Sequence, residues 1–275
     1  EHMAHIPNGA DYGRYSSGLV THPMAMAHIL DPGTLRAMLF PNAWQGNRFI
    51  LDDFEGDTLN TFLWSVDGDT GTTSFAIPAA GSTIAASIIK GDTSTDDNEG
   101  ISIYGHATWS GDKNAGMAVR WRSSVVALTY QELGFTDPLT DYTLPAINDI
   151  DTPTITNGAV TVAVQARDAS QTLTSMALIA DGDSTYATSK VNHGTFTPSV
   201  DTWYTSIVQL NGDTVFSYIY DSNTPSAPTL VAGGFQSAVA AVEGGTLVQP
   251  WFFFGNKTSN SASVDLDFIA VWADR

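Results

Sequence analysis

The closing stretch Ala262-Ser-Val-Asp-Leu-Asp-Phe-Ile-Ala-Val-Trp272 decides the fold class. Its residues fall into two alternating sets: Val264, Leu266, Phe268, Ala270 and Trp272 on one side, and Ser263, Asp265 and Asp267 on the other. A period of two residues is typical of a half-buried antiparallel β-strand. The pattern therefore predicts a strand here, with both aspartates turned away from the core.

A second apolar segment lies far upstream and reads Phe49-Ile-Leu-Asp-Asp-Phe-Glu-Gly-Asp-Thr-Leu-Asn-Thr-Phe-Leu-Trp64. The two segments together resemble the two ends of a concanavalin A-like (laminin G or glucanase-type) jelly roll, in which the first and last strands lie side by side. The resemblance implies an all-β, two-sheet antiparallel jelly-roll sandwich over residues 49–275, with residues 1–48 as an extended N-terminal arm. It implies architecture rather than activity, because this fold carries lectins, glycanases, lyases and structural modules.

Strand-like segments separated by turn residues fill the region between these two ends. They are Thr73–Pro78, Thr83–Lys90, Gly100–Trp109, Gly116–Arg122, Val125–Phe135, Ala159–Asp168, Leu173–Ala180, Thr202–Leu210, Thr214–Tyr220 and Gln249–Gly255. Asn211-Gly212 is a strong two-residue hairpin signal, and Ser110–Asn114 is a strong turn signal. Thr136–Asn157 is rich in Pro and Asp and predicts a long excursion from the sheets. About a dozen strands are enough for two packed sheets.

Composition narrows the class of protein. The chain has 43% hydrophobic residues and no cysteine, so its stability must come from packing rather than from disulfides or thiolate metal sites. A formal net charge of −18 argues against nucleic-acid partners. No apolar run approaches the ~18 residues of a membrane span. The sequence does not open with the basic stretch and following apolar stretch of a signal peptide, so none is predicted.

Residues 1–48 differ from the rest, because they hold four of the six Met and four of the six His. The segment is too apolar for a free tail, and Pro32–Phe40 has the pattern of a turn or two of helix. We expect it to be an arm that packs on a partner or on the sandwich, since Met adapts well at such contacts. The residues predicted to dock are Met24, Met26, Leu30, Met38, Phe40 and Trp44.

Three short motifs give a narrower resemblance. Gly134-Phe-Thr-Asp137, Asn211-Gly212 and Leu266-Asp-Phe-Ile-Ala-Val-Trp272 are similar, in that order, to motifs of tailed-bacteriophage virion proteins with a concanavalin A-like domain. This resemblance implies a non-enzymatic structural protein of the capsid surface, a decoration, cement or fibre-like module. It would attach through its arm to the major capsid protein or another virion protein, and would assemble as a homo-oligomer.

Catalysis has weak support in the sequence. A glycanase of this fold would carry a Glu-x-Asp-x-x-Glu run that sets two carboxylates about 5 Å apart, and no such run is present. Glu132 alternates with Tyr130 and Gly134 and is the best acid for a concave sheet face, with a structural role as the alternative. The acids Asp52, Asp53 and Glu55 are better explained by a turn than by catalysis. Arg120, Arg122, Gln131, His106 and Tyr104 supply the residue types that polysaccharide lyases use, but their spacing differs from the lyase spacing. A hydrolase or lyase is therefore the third hypothesis.

Carbohydrate binding is the second hypothesis, as a host-glycan adhesin of the phage head or tail. Trp109, Trp121 and Tyr104 supply aromatic rings for it, although a β-sandwich needs most of its tryptophans for the core. Calcium is the most credible ligand, because oxygen-rich loops supply Asp67, Asp69, Asp96, Asp97, Asp181 and Asp183. Asp-Gly sequences are also ordinary turn chemistry, so a bound calcium stays open.

Overall fold

The structure is a computed structural model of the 275-residue chain. It describes residues 48–54, 58–69, 73–78, 88–93, 95, 100–169, 176–181, 190–193, 196–212, 214–224, 228–236, 246–257 and 261–274. The predicted docking residues of the arm, the short helical pattern Pro32–Phe40 and most of the predicted strand Thr83–Lys90 lie outside these ranges.

β-Strands are the main regular secondary structure of the described residues. The strands are β1 (Arg48–Asp52), β2 (Ser65–Gly68), β3 (Thr73–Ala76), β4 (Ile89–Asp92), β5 (Gly100–Tyr104), β6 (Gly116–Ser123), β7 (Thr129–Thr136), β8 (Ile147–Asp149), β9 (Thr154–Ile155), β10 (Val162–Asp168), β11 (Ala177–Asp181), β12 (Lys190–Asn192), β13 (Tyr204–Asn211), β14 (Thr214–Asp221), β15 (Thr229–Gln236), β16 (Gln249–Asn256) and β17 (Ser263–Ala273). One 3₁₀ turn, Gly111–Lys113, is the helical element in this part of the chain. No helix among the described residues is long and apolar enough to cross a membrane.

Two antiparallel sheets form the sandwich, which confirms the predicted fold class. Sheet A has eight strands in the order β15-β14-β13-β6-β17-β4-β3, with β1 also paired to β17. Sheet B has seven strands in the order β12-β11-β10-β7-β16-β5-β2. The hairpin β8–β9 stands apart from both. One face of each sheet points toward the other sheet, and we call the opposite face its outer face.

The core between the sheets follows from residue alternation along the strands. Leu133 and Phe252 of sheet B pack against Trp121, Val208 and Ile269 of sheet A, and all five are buried. Strands β7 and β16, in the middle of sheet B, are covered on both faces, so all eight residues of each strand are buried.

The two segments that decide the fold lie side by side, as predicted. Strand β1 pairs antiparallel with the second half of β17, with Phe49 opposite Trp272 and Leu51 opposite Ala270. The first half of β17 pairs with β4 on the same edge, and β6 runs along the other edge of β17. The long closing strand therefore holds together three neighbours in sheet A.

The predicted orientation of β17 is wrong beyond Leu266, because a β-bulge follows that residue. The register against β6 shifts between Leu266 and Phe268, and an extra residue in one strand reverses the facing of all that follow. Val264 and Leu266 point into the core as expected, but so do Ile269 and Val271. Phe268, Ala270 and Trp272, expected in the core, lie instead on the outer face of sheet A.

The turn predictions have two outcomes. The predicted hairpin is present: β13 and β14 pair in register from Tyr204 opposite Asp221 to Asn211 opposite Thr214, and the chain turns at Gly212, which has a φ of 57°. The predicted turn at Ser110–Asn114 is also present, and Asn114 there has a left-handed backbone with φ of 51°. The strands on either side of that turn do not pair, however, because β5 belongs to sheet B and β6 to sheet A.

Residues 137–161, which we call the excursion, cover the outer face of sheet B. Ala146, Ile147 and Ile150 of the excursion are buried against Val164 of β10 and Trp251 of β16. The excursion carries the hairpin β8–β9, which pairs Ile147 with Ile155. It thereby gives the outer face of sheet B a second apolar core.

Candidate functional site

Glu132 lies at the centre of this second core and fastens the excursion to sheet B. Its carboxylate accepts hydrogen bonds from the backbone N–H of Ile147 (2.7 Å) and of Ala146 (2.9 Å), and from the side chains of Tyr130 (2.8 Å) and Trp251 (2.8 Å). Each carboxylate oxygen receives two donors, and the side chain is fully buried. Glu132 therefore occupies the sheet face where the sequence placed it, but in a structural role.

Burial raises the pKa of the Glu132 carboxyl, while its four hydrogen bonds act in the opposite direction. A raised pKa beside aromatic side chains is a feature that active-site carboxyls share. A general acid must also reach its substrate, and this carboxyl is sealed beneath the excursion.

The excursion is closed at its base by Asp137, the aspartate of the Gly-Phe-Thr-Asp motif. Its Oδ1 accepts hydrogen bonds from the backbone N–H of Val160 (2.9 Å) and Thr161 (3.1 Å). Asn157 adds an inner tie, since its Oδ1 accepts the N–H of Asp141 at 2.8 Å. These local bonds hold both ends of the excursion together over β7 and β10.

A cleft of about 250 Å³ opens where the excursion meets sheet B. Its lining combines apolar and polar groups: Tyr130, Leu144, Pro145, Asn148, Phe253, Gly255, Asn256 and Lys257. Tyr130 and Phe253 form the floor, where their rings meet edge to face with centroids 5.9 Å apart. Leu144 and Asn148 are exposed at the rim. An apolar floor with a few polar groups around it is the usual composition of a small-molecule site.

Lys257 gives the cleft a cation in an otherwise acidic protein. Its Nζ lies 3.4 Å from Oδ2 of the buried Asp168 and 5.0 Å from the centre of the Tyr130 ring. Both contacts hold the ammonium group in place, and the side chain keeps part of its surface in contact with solvent.

Two of the three aromatic residues predicted to bind carbohydrate are in the core between the sheets. Trp109 and Trp121 are buried, and the indole N–H of Trp121 donates to Ser206 Oγ at 3.0 Å. Stacking on a sugar at either ring does not fit this burial, because neither presents a face to solvent. Tyr104 is half-buried on the outer face of sheet B and stacks on Tyr142 of the excursion at 3.8 Å between centroids.

The residue types of the lyase set are not brought together. Arg120 and Arg122 lie on the outer face of sheet A, where Arg120 pairs with Asp267 (2.6 Å) and Arg122 with Asp265 (2.8 Å). These ion pairs account for the two aspartates of β17, which do point away from the core. The other three members are elsewhere: Tyr104 is on sheet B, Gln131 is buried between the sheets, and His106 is exposed after β5.

The early acid cluster forms a turn, as the sequence suggested. Asp52 Oδ1 accepts the backbone N–H of Phe54 at 2.9 Å, and its Oδ2 accepts the indole N–H of Trp64 at 2.9 Å. Asp53 is described beside it, and Glu55 lies outside the described residues. Both oxygens of Asp52 are thus engaged in shaping the segment after β1.

The predicted calcium residues are divided between distant places. Asp67 lies in β2 and Asp69 directly follows that strand, while Asp181 ends β11, toward the opposite end of sheet B. Five strand spacings of about 4.8 Å separate those ends, roughly 24 Å, so these residues cannot share one ion. Asp96, Asp97 and Asp183 lie outside the described residues, and within the described ones no three His, Cys, Asp or Glu cluster to hold a metal.

The cleft and its residues Asn148, Phe253, Asn256 and Lys257 were not predicted from the sequence. The available signal was the excursion itself, because structureless loops longer than about 12–15 residues are usually functional. Its apolar residues Leu144, Ile147 and Ile150 also indicated that it covers a sheet face.

Comparison with known proteins finds similar folds among solved structures but no match by sequence. No protein-family model matches the chain, and no curated protein matches its sequence. Its fold is similar to that of the Lotus tetragonolobus seed lectin, with a TM-score of 0.53 at 10% identity over 83% of this chain and 99% of the lectin.

Two further solved structures are similar over most of their length. The CBM2 module of the evolved Dit protein of Lactobacillus casei BL23 phage J-1 gives a TM-score of 0.50 at 12% identity, over 83% of this chain and 96% of that one. The exoplasmic/lumenal domain of VIP36, in a Ca²⁺/Man3GlcNAc-bound form, gives 0.50 at 9% identity over 78% and 84%. Endo-acting O-glycanases of the human gut microbiota share the fold as well. At these identities the likeness shows the fold alone: a lectin-like, concanavalin A-like jelly-roll sandwich.

Proposed function

We propose that this protein binds carbohydrate without cleaving it, through the cleft between the excursion and sheet B. The observation that carries the proposal is the composition of the cleft, where apolar Leu144 and Pro145 and polar Asn148 and Lys257 line one opening above the buried rings of Tyr130 and Phe253. Sugars present apolar C–H faces and hydroxyl groups, which these two kinds of lining residue complement. The volume of about 250 Å³ lies just under the ~300 Å³ where drug-sized pockets begin, so a single terminal sugar residue is the expected ligand.

The non-catalytic part of the proposal rests on Glu132. Retaining and inverting glycosidases alike place two carboxyl groups on either side of the scissile bond. Glu132 has all its acceptor sites engaged beneath the excursion, and Asp168 is buried and paired with Lys257. Neither is placed as an acid/base pair on a bound sugar.

A glycan array tests this proposal, with the full chain and two variants of the exposed rim residue Asn148. We expect the chain to retain a defined group of glycans, Asn148→Ala to weaken that binding, and Asn148→Trp to abolish it by filling the cleft. Phe62→Ala, which removes an almost fully exposed ring from the turn after β1, is the matched control. Binding that is unchanged in Asn148→Trp would contradict the cleft as the site.

A second proposed function is that of a non-enzymatic module on a bacteriophage virion, attached through residues 1–48. Its support is the set of three ordered motifs, and the structure gives two of them a defined role, since Asp137 closes the excursion and Asn211-Gly212 forms a hairpin. The proposal includes attachment to the major capsid protein or another virion protein, self-association, and a place on the capsid surface. A carbohydrate-binding cleft is compatible with it, as a host-adhesion site.

Removal of residues 1–47 tests the virion proposal. We expect the sandwich to stay folded, by circular dichroism, and to lose attachment to particles. If the truncated protein still decorates particles, attachment through the arm is wrong. A gene beside those for capsid and head-completion proteins would favour decoration, and one beside tail-fibre genes would favour adhesion.

Calcium binding stays a prediction. Asp67 and Asp69 lie at the end of β2 and Asp181 ends another strand, so each place would need oxygen ligands from its own neighbourhood to reach the six to eight that calcium takes. Calorimetric titration of the chelator-treated protein with CaCl₂ measures this directly. A transition temperature that is the same in calcium and in EGTA, with no heat of binding, would refute the prediction.

A further inference from the structure

An apolar row crosses the outer face of sheet A from one edge to the other. Six residues stand directly opposite one another on adjacent strands: Phe49, Trp272, Gly116, Gln209, Phe216 and Phe235. Four of the six are aromatic, and the bulge in β17 is what turns Trp272 to this side. We call this set the aromatic row.

The row is apolar and open at its β15 end. Phe235 is 60% exposed, and its ring lies 6.0 Å from that of Phe216. Tyr218, on the same face of β14, stacks nearly parallel to Phe216 at 6.5 Å. Phe216, Tyr218 and Phe235 thus form a partly exposed aromatic group at this end of the row, and grouped aromatic side chains at a surface mark an interaction surface.

Two polar atoms within the row identify the kind of partner. The indole N–H of Trp272 and the side-chain amide nitrogen of Gln209 have no hydrogen-bond acceptor among the described residues. Their residues are only 6% and 4% exposed. Buried donors are nearly always satisfied, so a segment that covers this part of the row is expected to supply acceptors as well as apolar side chains. An extended peptide does both, through its carbonyl groups and its side chains.

We propose that residues 37–47 of the same molecule lie along the aromatic row. This segment, Ala-Met-Leu-Phe-Pro-Asn-Ala-Trp-Gln-Gly-Asn, leads directly into Arg48 and Phe49, so its end is already at one end of the row. Five strand spacings of about 4.8 Å give the row a length of roughly 24 Å. Eleven extended residues span up to about 36 Å, which is enough to reach Phe235.

The side chains of the segment suit the row. Met38, Leu39, Phe40 and Trp44 supply apolar groups, and the segment carries no charge before Arg48. Met adapts its shape to irregular aromatic surfaces and makes favourable sulfur–aromatic contacts. Residues 1–36 remain beyond the row for attachment elsewhere, so the inference does not depend on either proposed function.

Photo-cross-linking of the full chain tests this inference. Benzoylphenylalanine in place of Phe235 should cross-link within one molecule to the tryptic peptide Ala37–Arg48. The matched control carries it in place of Val160, which is 41% exposed on the excursion, on the other side of the sandwich; this variant should give no such product. A cross-linked dimer, a cross-link to residues 237–245, or no cross-link at Phe235 would overturn the inference.

Hydrogen–deuterium exchange provides an independent readout. Amides of residues 37–47 should be protected in the wild-type protein and should lose at least tenfold in protection in the Phe216→Ser/Phe235→Ser variant. Exchange in β7 and β16 should stay the same, which shows that the sandwich is still folded. Equal exchange of residues 37–47 in the two proteins would contradict the proposed contact.

Discussion

Glu132 is the residue that fastens the excursion to sheet B. Four donors from three segments of the chain converge on one carboxylate. Hydrogen bonds to a buried charged group are worth more than neutral ones, and an unmet donor is costly. The position of the excursion, and with it the shape of the cleft, therefore depends on this side chain.

Glu132→Gln should destabilise the protein by about 2–4 kcal/mol, because an amide has one acceptor oxygen and its NH₂ group would face two donors. Urea denaturation followed by tryptophan fluorescence measures the change. Asp112→Asn, at an exposed position, is the control and should stay within about 0.5 kcal/mol. A Gln variant as stable as the wild type would mean that the four-donor site does not hold the excursion.

The Glu132 site also predicts a pH dependence with a defined sign. Because the pKa is raised in the folded state, the folded protein binds this proton more tightly than the unfolded chain does. The wild type should therefore gain stability relative to Glu132→Gln as the pH falls through the raised pKa, and the gain should level off below the ordinary pKa of about 4.3 for glutamate. A difference in the free energy of unfolding between the two proteins that is constant from pH 8 to pH 4 would contradict the raised pKa.

His193 predicts the opposite response to acid. Burial lowers its pKa to about 4, and its Nε2 lies 2.8 Å from Ser217 Oγ between the sheets. The unfolded chain takes up a proton near pH 6.5 while the folded protein does not, so stability falls between pH 6.5 and about 4, by ~3 kcal/mol. Urea denaturation of the His193→Gln variant should show no such loss of stability over this pH range. An equal loss in the variant would mean that other groups cause it.

The excursion is the element that distinguishes this sandwich. It carries its own hairpin, buries Ala146, Ile147 and Ile150 on the outer face of sheet B, and forms one wall of the cleft. Its base is held by the carboxylate of Asp137, which serves two consecutive N–H groups. The base and the Glu132 site act at different points, so they can be tested separately.

Asp137→Ala should loosen the base of the excursion without unfolding the sandwich. We expect faster proteolysis within residues 137–161 and weaker glycan binding, with a loss of about 1 kcal/mol, since water can replace the carboxylate at the exposed Val160 N–H. Asp137→Asn keeps one acceptor oxygen and should be intermediate. Limited proteolysis with mass spectrometry gives the cleavage sites, and cleavage confined to other loops would contradict the role of Asp137.

At the level of elements, patterns that depend on neighbours in sequence were predictable. The β13–β14 hairpin followed from Asn211-Gly212, and β17 followed from its alternation. The facing of β17 after Leu266 was not, because a period of two cannot reveal one inserted residue. The positions of Trp109 and Trp121 in the core, and the link from Glu132 to Ala146 and Ile147, arise from contacts between distant segments, which a single sequence does not display.

At the scale of the whole molecule, the closure of sheet A by β1 and β17 joins the two ends of the sandwich. The pair brings together Leu51 and Ala270, more than two hundred residues apart in sequence. Contacts of such long range are slow to form in folding. The closure should therefore form late in folding.

A cysteine pair tests the closure, since the chain has no cysteine of its own. Residues 51 and 270 stand directly opposite each other on β1 and β17. The double variant Leu51→Cys/Ala270→Cys should therefore form a disulfide in air, which should raise the free energy of unfolding by about 2–4 kcal/mol. Leu51→Cys with Ser263→Cys is the control, because Ser263 pairs with β4 instead, and it should stay reduced. Failure of the first pair to oxidise would contradict the register.

The sandwich offers two outer faces with different uses. Sheet B, beneath the excursion, presents the cleft proposed for carbohydrate, and sheet A presents the aromatic row proposed for the N-terminal segment. A module that binds carbohydrate on the outer face of sheet B, and whose sheet A is covered by its own N-terminal segment, can keep the cleft open while its N-terminal residues are attached to a partner. The lectin-like fold is compatible with this arrangement but does not require it.

The most direct test of binding without cleavage is to incubate an oligosaccharide retained on the array with the protein. Calorimetry should give one bound molecule per chain, and mass spectrometry after prolonged incubation should recover the oligosaccharide intact. Shortened or unsaturated products that disappear in the Glu132→Gln variant would contradict the account.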